Sequence, residues 1–218
     1  MQLDGSEASA YRTDGYVLLK ALFPPIVLQI FHGKLQKDLN LKGDPSFLSR
    51  TPLLTKPALE VYSRRYVPMA SFHWGVTPIA AAVAGCELMP TYAYFRVYQK
   101  DDVCLVHPDR GACEHSMSLT VELADDKPWP LCIGKEHADL HEPAADPGFH
   151  PGEAYAELPM RAGDAVMYRG VNHRHGRIAP NPNRWSAHLF LHWVDANGPY
   201  ADQAFDRVAV QQAMAQPS

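Results

Sequence analysis

At 218 residues with 46% hydrophobic side chains, the chain is long enough to bury one substantial core and short for two. Its formal net charge of −4 argues against a nucleic-acid surface, and no apolar run approaches the ~20 residues that span a bilayer. What is left is a single domain, residues 1–218, whose expected partner is a small-molecule substrate rather than nucleic acid or membrane.

Met1 to Glu7 lack the basic region and apolar core of a signal peptide, so a cytoplasmic protein is expected. Cys86, Cys104, Cys113 and Cys132 show no C-x-x-C spacing and read as reduced thiols. Eleven histidines favour a metal site without placing it.

In chain order, Gly15 to Lys20 reads as a short strand. Pro24-Pro25 suits the first turn of a helix that carries Leu28, Phe31, Leu35 and Leu39 on one stripe. Residues 41–75 have no clear period and read as loop with short elements. Thr77-Pro78 predicts the start of a short second helix through Val83, closed by Gly85 in the left-handed conformation. From Thr91 the pattern turns to β: Tyr92, Tyr94, Arg96 and Tyr98 alternate with Ala93, Phe95 and Val97. Ser116 to Leu123 alternates in the same way, and Glu122 is a possible partner for Arg96. Residues 134–153, rich in Pro and His, read as a surface loop or lid. Asp164 to Tyr168 and Arg184 to Trp193 are the last strands, and residues 201–215 fit a weak tail helix. The sum is an α+β, mainly β chain: a double-sheet jelly-roll core over about 91–195, with the helical segment of about 1–90 packed on one outer face.

One stretch carries chemistry. His107-Pro-Asp109 follows the tyrosine-bearing strand and the turn at Lys100-Asp101-Asp102, and side chains two apart on an extended segment point to one side. A second His-x-Asp, His137-Ala-Asp139, lies in the proline-rich loop, and its context is poorer. A further histidine is available after the strand at 164–168, where His173 and His175 both stand. Downstream, Arg184 and Ser186 share a strand face with His188 and Phe190, and arginine suits a bidentate grip on a carboxylate.

His107-x-Asp109, a histidine near 175, and Arg184-x-Ser186 nine residues after His175 together resemble the non-haem iron(II), 2-oxoglutarate-dependent dioxygenases, most closely the prolyl-hydroxylase-like and phytanoyl-type branches. Asp14-Gly15-Tyr16 before a helix is similar to the start of phytanoyl-type members. The resemblance covers about Tyr92 to Trp193. It implies a double-stranded β-helix fold, with iron(II), 2-oxoglutarate and O₂ as cofactor and cosubstrates. It further implies that His107, Asp109 and His175 hold the iron, and that Arg184 binds 2-oxoglutarate with Ser186 and Tyr98. The spacing to Arg184 prefers His175 over His173. The presence of Asp109 implies a hydroxylase acting on an unactivated C–H bond rather than a halogenase.

Two other classes stay open at this level. A cupin-like metal protein without O₂ chemistry usually offers histidines two apart plus a glutamate, whereas the residue paired with His107 is Asp109. A zinc hydrolase built from His137, His141 and His150 lacks an HExxH-like helix. The polar residues Arg96, Glu122 and His188 on the expected inner face point to a small polar substrate, such as an amino acid or a natural-product intermediate, with a peptidyl side chain as the alternative. Arg110 and Glu114, beside the metal motif, are candidates for orienting its ligands.

Overall fold

The computed structural model describes residues 5–41, 43–137 and 145–207. Its first element is α1 (Ser6–Asp14), which ends at Gly15 with φ of +77° and leads straight into β1 (Tyr16–Leu19). Next comes α2 (Pro25–Leu39), with proline in its first turn and Leu28, His32 and Leu35 buried. After β2 (Leu48–Ser49) and β3 (Ala58–Tyr62) comes α3 (Val67–Ala84), closed by Gly85 at φ +77°. The β core is β4 (Leu88–Gln99), β5 (Cys104–His107), β6 (His115–Leu123), β7 (Leu131–Gly134), β8 (Tyr155–Leu158), β9 (Ala165–Tyr168), β10 (His175–Arg177) and β11 (Trp185–Asp195).

These strands form two antiparallel sheets. The larger runs β1-β9-β6-β11-β4-β3-β2 and the smaller β5-β10-β7-β8, the paired sheets of a double-stranded β-helix. The alternation along β4, β6 and β11 sorts side chains between two compartments. One row, Ala93, Phe95, Met117, Leu119, Val121, Leu189, Leu191 and Trp193, packs against Leu28, Leu35, Met69, Val76 and Val83 of the helices. Each such fully buried Leu, Val or Phe is worth roughly 1.5–3 kcal/mol, so this outer layer holds the fold together. The opposite row is Tyr92, Tyr94, Arg96 and Tyr98 on β4, Ser116, Ser118 and Thr120 on β6, and Ser186, His188, Phe190 and His192 on β11. Register sets these residues face to face: Ser186 opposite Tyr98, His188 opposite Arg96, Phe190 opposite Tyr94. A polar interior adds little to stability and costs desolvation, which marks the space between the sheets as the working part of the molecule.

Several elements depart from expectation. The second helix starts ten residues early, at Val67 with Pro68 in its first turn, and runs through Pro78, beside which the Thr77 hydroxyl donates to the His73 carbonyl. Its apolar residues are spread too evenly to show a period. At 18 residues with mean hydropathy 1.2, α3 is long and apolar enough by composition to cross a membrane; here it lies against β4 and α1 with Met69, Val76, Ala80 and Val83 buried. Inside the stretch expected to be loop, β3 pairs with β4 and widens the large sheet. Strand β8 and one end of β7 fall within or just after the expected lid. In the tail, Ala201–Asp206 is a 3₁₀ segment, and the rest of the expected helix lies outside the described residues.

Candidate metal centre

Strands β5 and β10 are neighbours in the small sheet, and their register puts His107 directly opposite His175. The two rings lie 4.6 Å apart, and Asp109, just past the end of β5, completes a group whose ligand atoms all fall within 4.8 Å of one another. Asp109 Oδ1 is 3.9 Å from His107 Nε2, and its Oδ2 is 3.6 Å from His175 Nε2.

Each member is oriented by a bond on its far side. His107 Nδ1 lies 2.7 Å from the Leu105 carbonyl and His175 Nδ1 2.9 Å from the His173 carbonyl. A carbonyl only accepts, so both Nδ1 atoms carry the hydrogen, and both Nε2 atoms present a lone pair to the centre. The Ser116 hydroxyl lies 3.0 Å from Asp109 Oδ2, and the Asp109 N–H donates to the Gly170 carbonyl at 2.9 Å. Burial, reinforced by His175, brings the His107 pKa down to about 4, so its imidazole is neutral at physiological pH. Burial pushes the Asp109 carboxyl up, but His175, His192, His107 and the Ser116 hydroxyl together hold it below its ordinary value. Two imidazoles and a carboxylate on one side of a cavity are a donor set suited to iron(II), with positions left open.

Gly170 is needed for this arrangement. A Cβ there would overlap Asp109 Oδ2 and the Cys113 carbonyl. Gly170→Ala is therefore expected to push Asp109 aside and weaken metal binding about 10–100-fold, as measured by iron(II) titration, with little change in far-UV circular dichroism.

The structure separates the other candidates. His173 is not brought to the centre: its Nδ1 lies on the Gly134 carbonyl and its ring edge-on to Tyr16, among Arg12, Lys135 and Arg169. His137 stands beside His173, and His150 is exposed against Asp146; neither joins a metal-binding group among the described residues. Asp139 and His141 lie outside those residues.

Arg184 is not brought to the site. Its side chain is 72% exposed just before β11, where its backbone N–H and its guanidinium both donate to Asp125. The loop is turned outward there because Asn181 and Asn183 tie it to Gln99 and Lys127. Ser186 is buried on the inner row, but its hydroxyl is taken up by Asn181 and Asn183. Tyr98 is buried too, accepting a hydrogen bond from Arg96 at 3.1 Å and packing edge-on to Trp129 and His188.

Sequence reasoning missed Arg177. It follows His175 by two residues on β10, roughly 7 Å along the strand, with a register shift against β5 between them, and both are buried. Its side chain is 1% exposed and has no carboxylate partner among the described residues. The guanidinium donates to the Trp129 carbonyl at 2.6 Å, stacks on the Trp129 ring at 4.8 Å, and approaches His188 Nδ1 at 3.3 Å. Because arginine only donates, that contact makes Nδ1 the acceptor and leaves the hydrogen of His188 on Nε2, which is buried without a partner. A buried cation and a buried N–H donor thus stand side by side on the inner row with no anion beside them among the described residues.

Arg96, by contrast, is compensated. Its Nε donates to Glu60 at 2.7 Å, with both residues buried; Glu122, the expected partner, lies on the helix side and bonds His32 instead. The reason is a bulge where β6 meets β11 near Ala187, which turns Glu122 to the other face. Glu60→Ala leaves the Arg96 charge uncompensated and should destabilise the fold by about 3–5 kcal/mol, read from urea unfolding. Arg110 pairs with Asp206 and covers Tyr92, and Glu114 accepts from the Asp195 N–H; neither touches a ligand of the centre.

A cavity of about 380 Å³ opens over His107 and Asp109, walled by Tyr62, Tyr92, Tyr94, Arg96 and His192. A larger cleft of about 910 Å³ lies beneath α2; it holds Arg184 and Glu122 but no member of the metal group.

No family model and no curated protein matches the chain. Solved structures do. SnoK, a non-heme alpha ketoglutarate dependent carbocyclase from nogalamycin biosynthesis, superposes with TM-score 0.69 at 14% identity over 89% of this chain and 85% of its own. HygX from Streptomyces hygroscopicus, solved with nickel, 2-oxoglutarate and hygromycin B, gives 0.64 at 12% identity over 89% and 88%. A prolyl-4-hydroxylase from Pseudomonas putida gives 0.58 at 10% identity over 86% and 97%. The chain has the double-stranded β-helix fold of these 2-oxoglutarate-dependent oxygenases.

Proposed function

We propose that the protein is an iron(II)- and 2-oxoglutarate-dependent oxygenase that hydroxylates an unactivated C–H bond of a small polar molecule. The observation that carries this reading is the pairing on β10 of His175, within the His107–Asp109 group, with Arg177, a buried cation that lacks an anion.

In this reading, His107 and His175 hold iron through their Nε2 atoms and Asp109 through its carboxylate, each kept in place by its bond to Leu105, His173 or Ser116. Arg177 binds the distal carboxylate of 2-oxoglutarate, with the His188 Nε2–H as a second donor and Tyr98 and Trp129 as the wall beside it. The separation of His175 and Arg177 is on the order of the length of a five-carbon diacid. Bound iron with 2-oxoglutarate supplies the oxidising chemistry, in which O₂ is consumed, succinate and CO₂ are released and a C–H bond becomes C–OH. The chain's own part is to fix both ends of the diacid, exclude water from the inner row and hold the substrate in the cavity above Asp109.

The cavity supports a small substrate: 380 Å³ is near the lower end of ligand pockets, and its wall mixes tyrosine rings with the Arg96–Glu60 pair. Neighbours of the same fold are described with hygromycin B and with nogalamycin biosynthesis, both natural-product chemistry. SnoN is described as an epimerase, so this fold serves other outcomes as well; Asp109 as a third protein ligand is the feature favouring hydroxylation over halogenation here.

The test is an anaerobic titration with iron(II) and 2-oxoglutarate. A weak visible charge-transfer band that needs both components is expected, followed by succinate release on admitting O₂ with a substrate. A chain that binds iron but never develops the band refutes the proposal.

A further inference from the structure

Two residues beside the proposed iron group hold no metal in that reading: Cys113 and His192. Cys113 sits on the short turn Gly111–Cys113 that follows Asp109, and its thiol is buried. His192 projects from β11 on the inner row and is 2% exposed. Their ligand atoms and an Asp109 oxygen all lie within 4.8 Å of one another, so Asp109 belongs to two overlapping three-residue groups. Both residues also line the cavity above His107.

We propose that Asp109, Cys113 and His192 form a second metal site, suited to a borderline-soft divalent cation such as zinc, whose occupation competes with iron for Asp109.

The donor types differ in the way such selectivity requires. Two imidazoles and a carboxylate suit iron(II), whereas one thiolate, one imidazole and one carboxylate suit zinc. The second set is oriented as metal ligands usually are. Ser116 Oγ lies 2.8 Å from His192 Nδ1, 3.0 Å from Asp109 Oδ2 and 3.2 Å from the Cys113 carbonyl, so one hydroxyl ties all three together. The Tyr92 hydroxyl is 3.1 Å from Cys113 Sγ, and the Tyr92 ring packs on His192 at 4.6 Å. His192 Nε2 is buried with no partner among the described residues. An orphaned imidazole nitrogen beside a buried thiol and a carboxylate is unusual in a core, where buried polar atoms are normally paired. A ligand role accounts for all three.

Because Asp109 is shared, a cation in the second site withdraws a carboxylate from the first. Zinc should therefore inhibit turnover beyond its simple replacement of iron between His107 and His175.

Anaerobic cobalt(II) titration of the full-length protein tests the site without depending on turnover, because a cysteine thiolate on cobalt gives an intense near-ultraviolet charge-transfer band. The expected result is such a band in wild type and in His175→Ala, and its loss in Cys113→Ser, with Cys104→Ser as the control that keeps it. Should Cys113→Ser not fold, zinc-edge X-ray absorption on the wild-type chain replaces it, with a sulfur scatterer at about 2.3 Å expected. Cobalt that binds with no thiolate band, or zinc in a shell of nitrogen and oxygen only, overturns the proposal. Failure of the oxygenase reading looks different: no succinate is formed, while the thiolate band stands. If both hold, Cys113→Ser raises the zinc concentration for half-inhibition of succinate release at least 10-fold; an unchanged value removes the competition.

Discussion

Replacing Arg177 with methionine should raise the 2-oxoglutarate concentration for half-maximal succinate release by about 100-fold or more, while leaving the melting temperature unchanged or higher. The magnitude follows from removing one partner of a buried, hydrogen-bonded charge pair, about 2–5 kcal/mol, or roughly 30- to several thousand-fold in affinity. The stability expectation has a separate source. In the absence of a bound acid the guanidinium is 1% exposed with no carboxylate among the described residues, so methionine removes a desolvated charge and keeps much of the volume. A residue kept only for packing would show the reverse, lower stability with an unchanged 2-oxoglutarate requirement. Arg184→Ala is the control: with its side chain 72% exposed and bound to Asp125, its loss should leave 2-oxoglutarate binding unaltered. A large effect at Arg184 together with none at Arg177 would return the anchor to the position that sequence spacing favours.

His175→Ala should abolish stoichiometric iron(II) binding and lower succinate release by at least about 1,000-fold, whereas His173→Ala should change neither by more than about twofold. Losing one of three protein ligands leaves an incomplete set with no spare donor aimed at the same point, and a metal contribution to the transition state is worth several kcal/mol. His173 is two residues away, yet its ring is committed to the Gly134 carbonyl. It also closes on Gly15, where any Cβ would meet the imidazole, so its loss is felt in packing near α1 rather than in the metal. Metal content after dialysis and a succinate assay on the two variants decide the assignment; equal losses in both would mean that the strand register, and with it the centre, is misplaced.

Much of this molecule could be read from the order of its residues. The alternation in β4, β6 and β11 holds over most of their length because one face meets helices and the other a polar interior, so period-2 patterning finds the strands and assigns their faces except past the bulge at Glu122. His107 and Asp109 were legible for the same reason, being two apart on an extended segment. Other parts were not legible. Strands β3, β7, β8 and β10 are three to five residues long, too short for a period to emerge. The start of α3 is hidden because its apolar residues are nearly continuous and Tyr66 caps it without a side-chain bond.

The two arginine assignments draw the boundary most sharply. Sequence by itself determined a jelly roll with helices on one side and put His107 and Asp109 on one side of an extended segment, while the arginine after the distal histidine was what the family resemblance implied. It named Arg184 because a strand beginning there would turn that side chain inward; the asparagine-tied loop delays β11 by one residue and holds Arg184 against Asp125. Only the tertiary structure selected Arg177, set His107 opposite His175, and paired Arg96 with Glu60 rather than Glu122. The physical reason is common to all three. Strand periodicity specifies which face a side chain occupies, but register, bulges and the compensation of buried charge depend on which strands become neighbours, and that is decided by contacts between residues tens of positions apart.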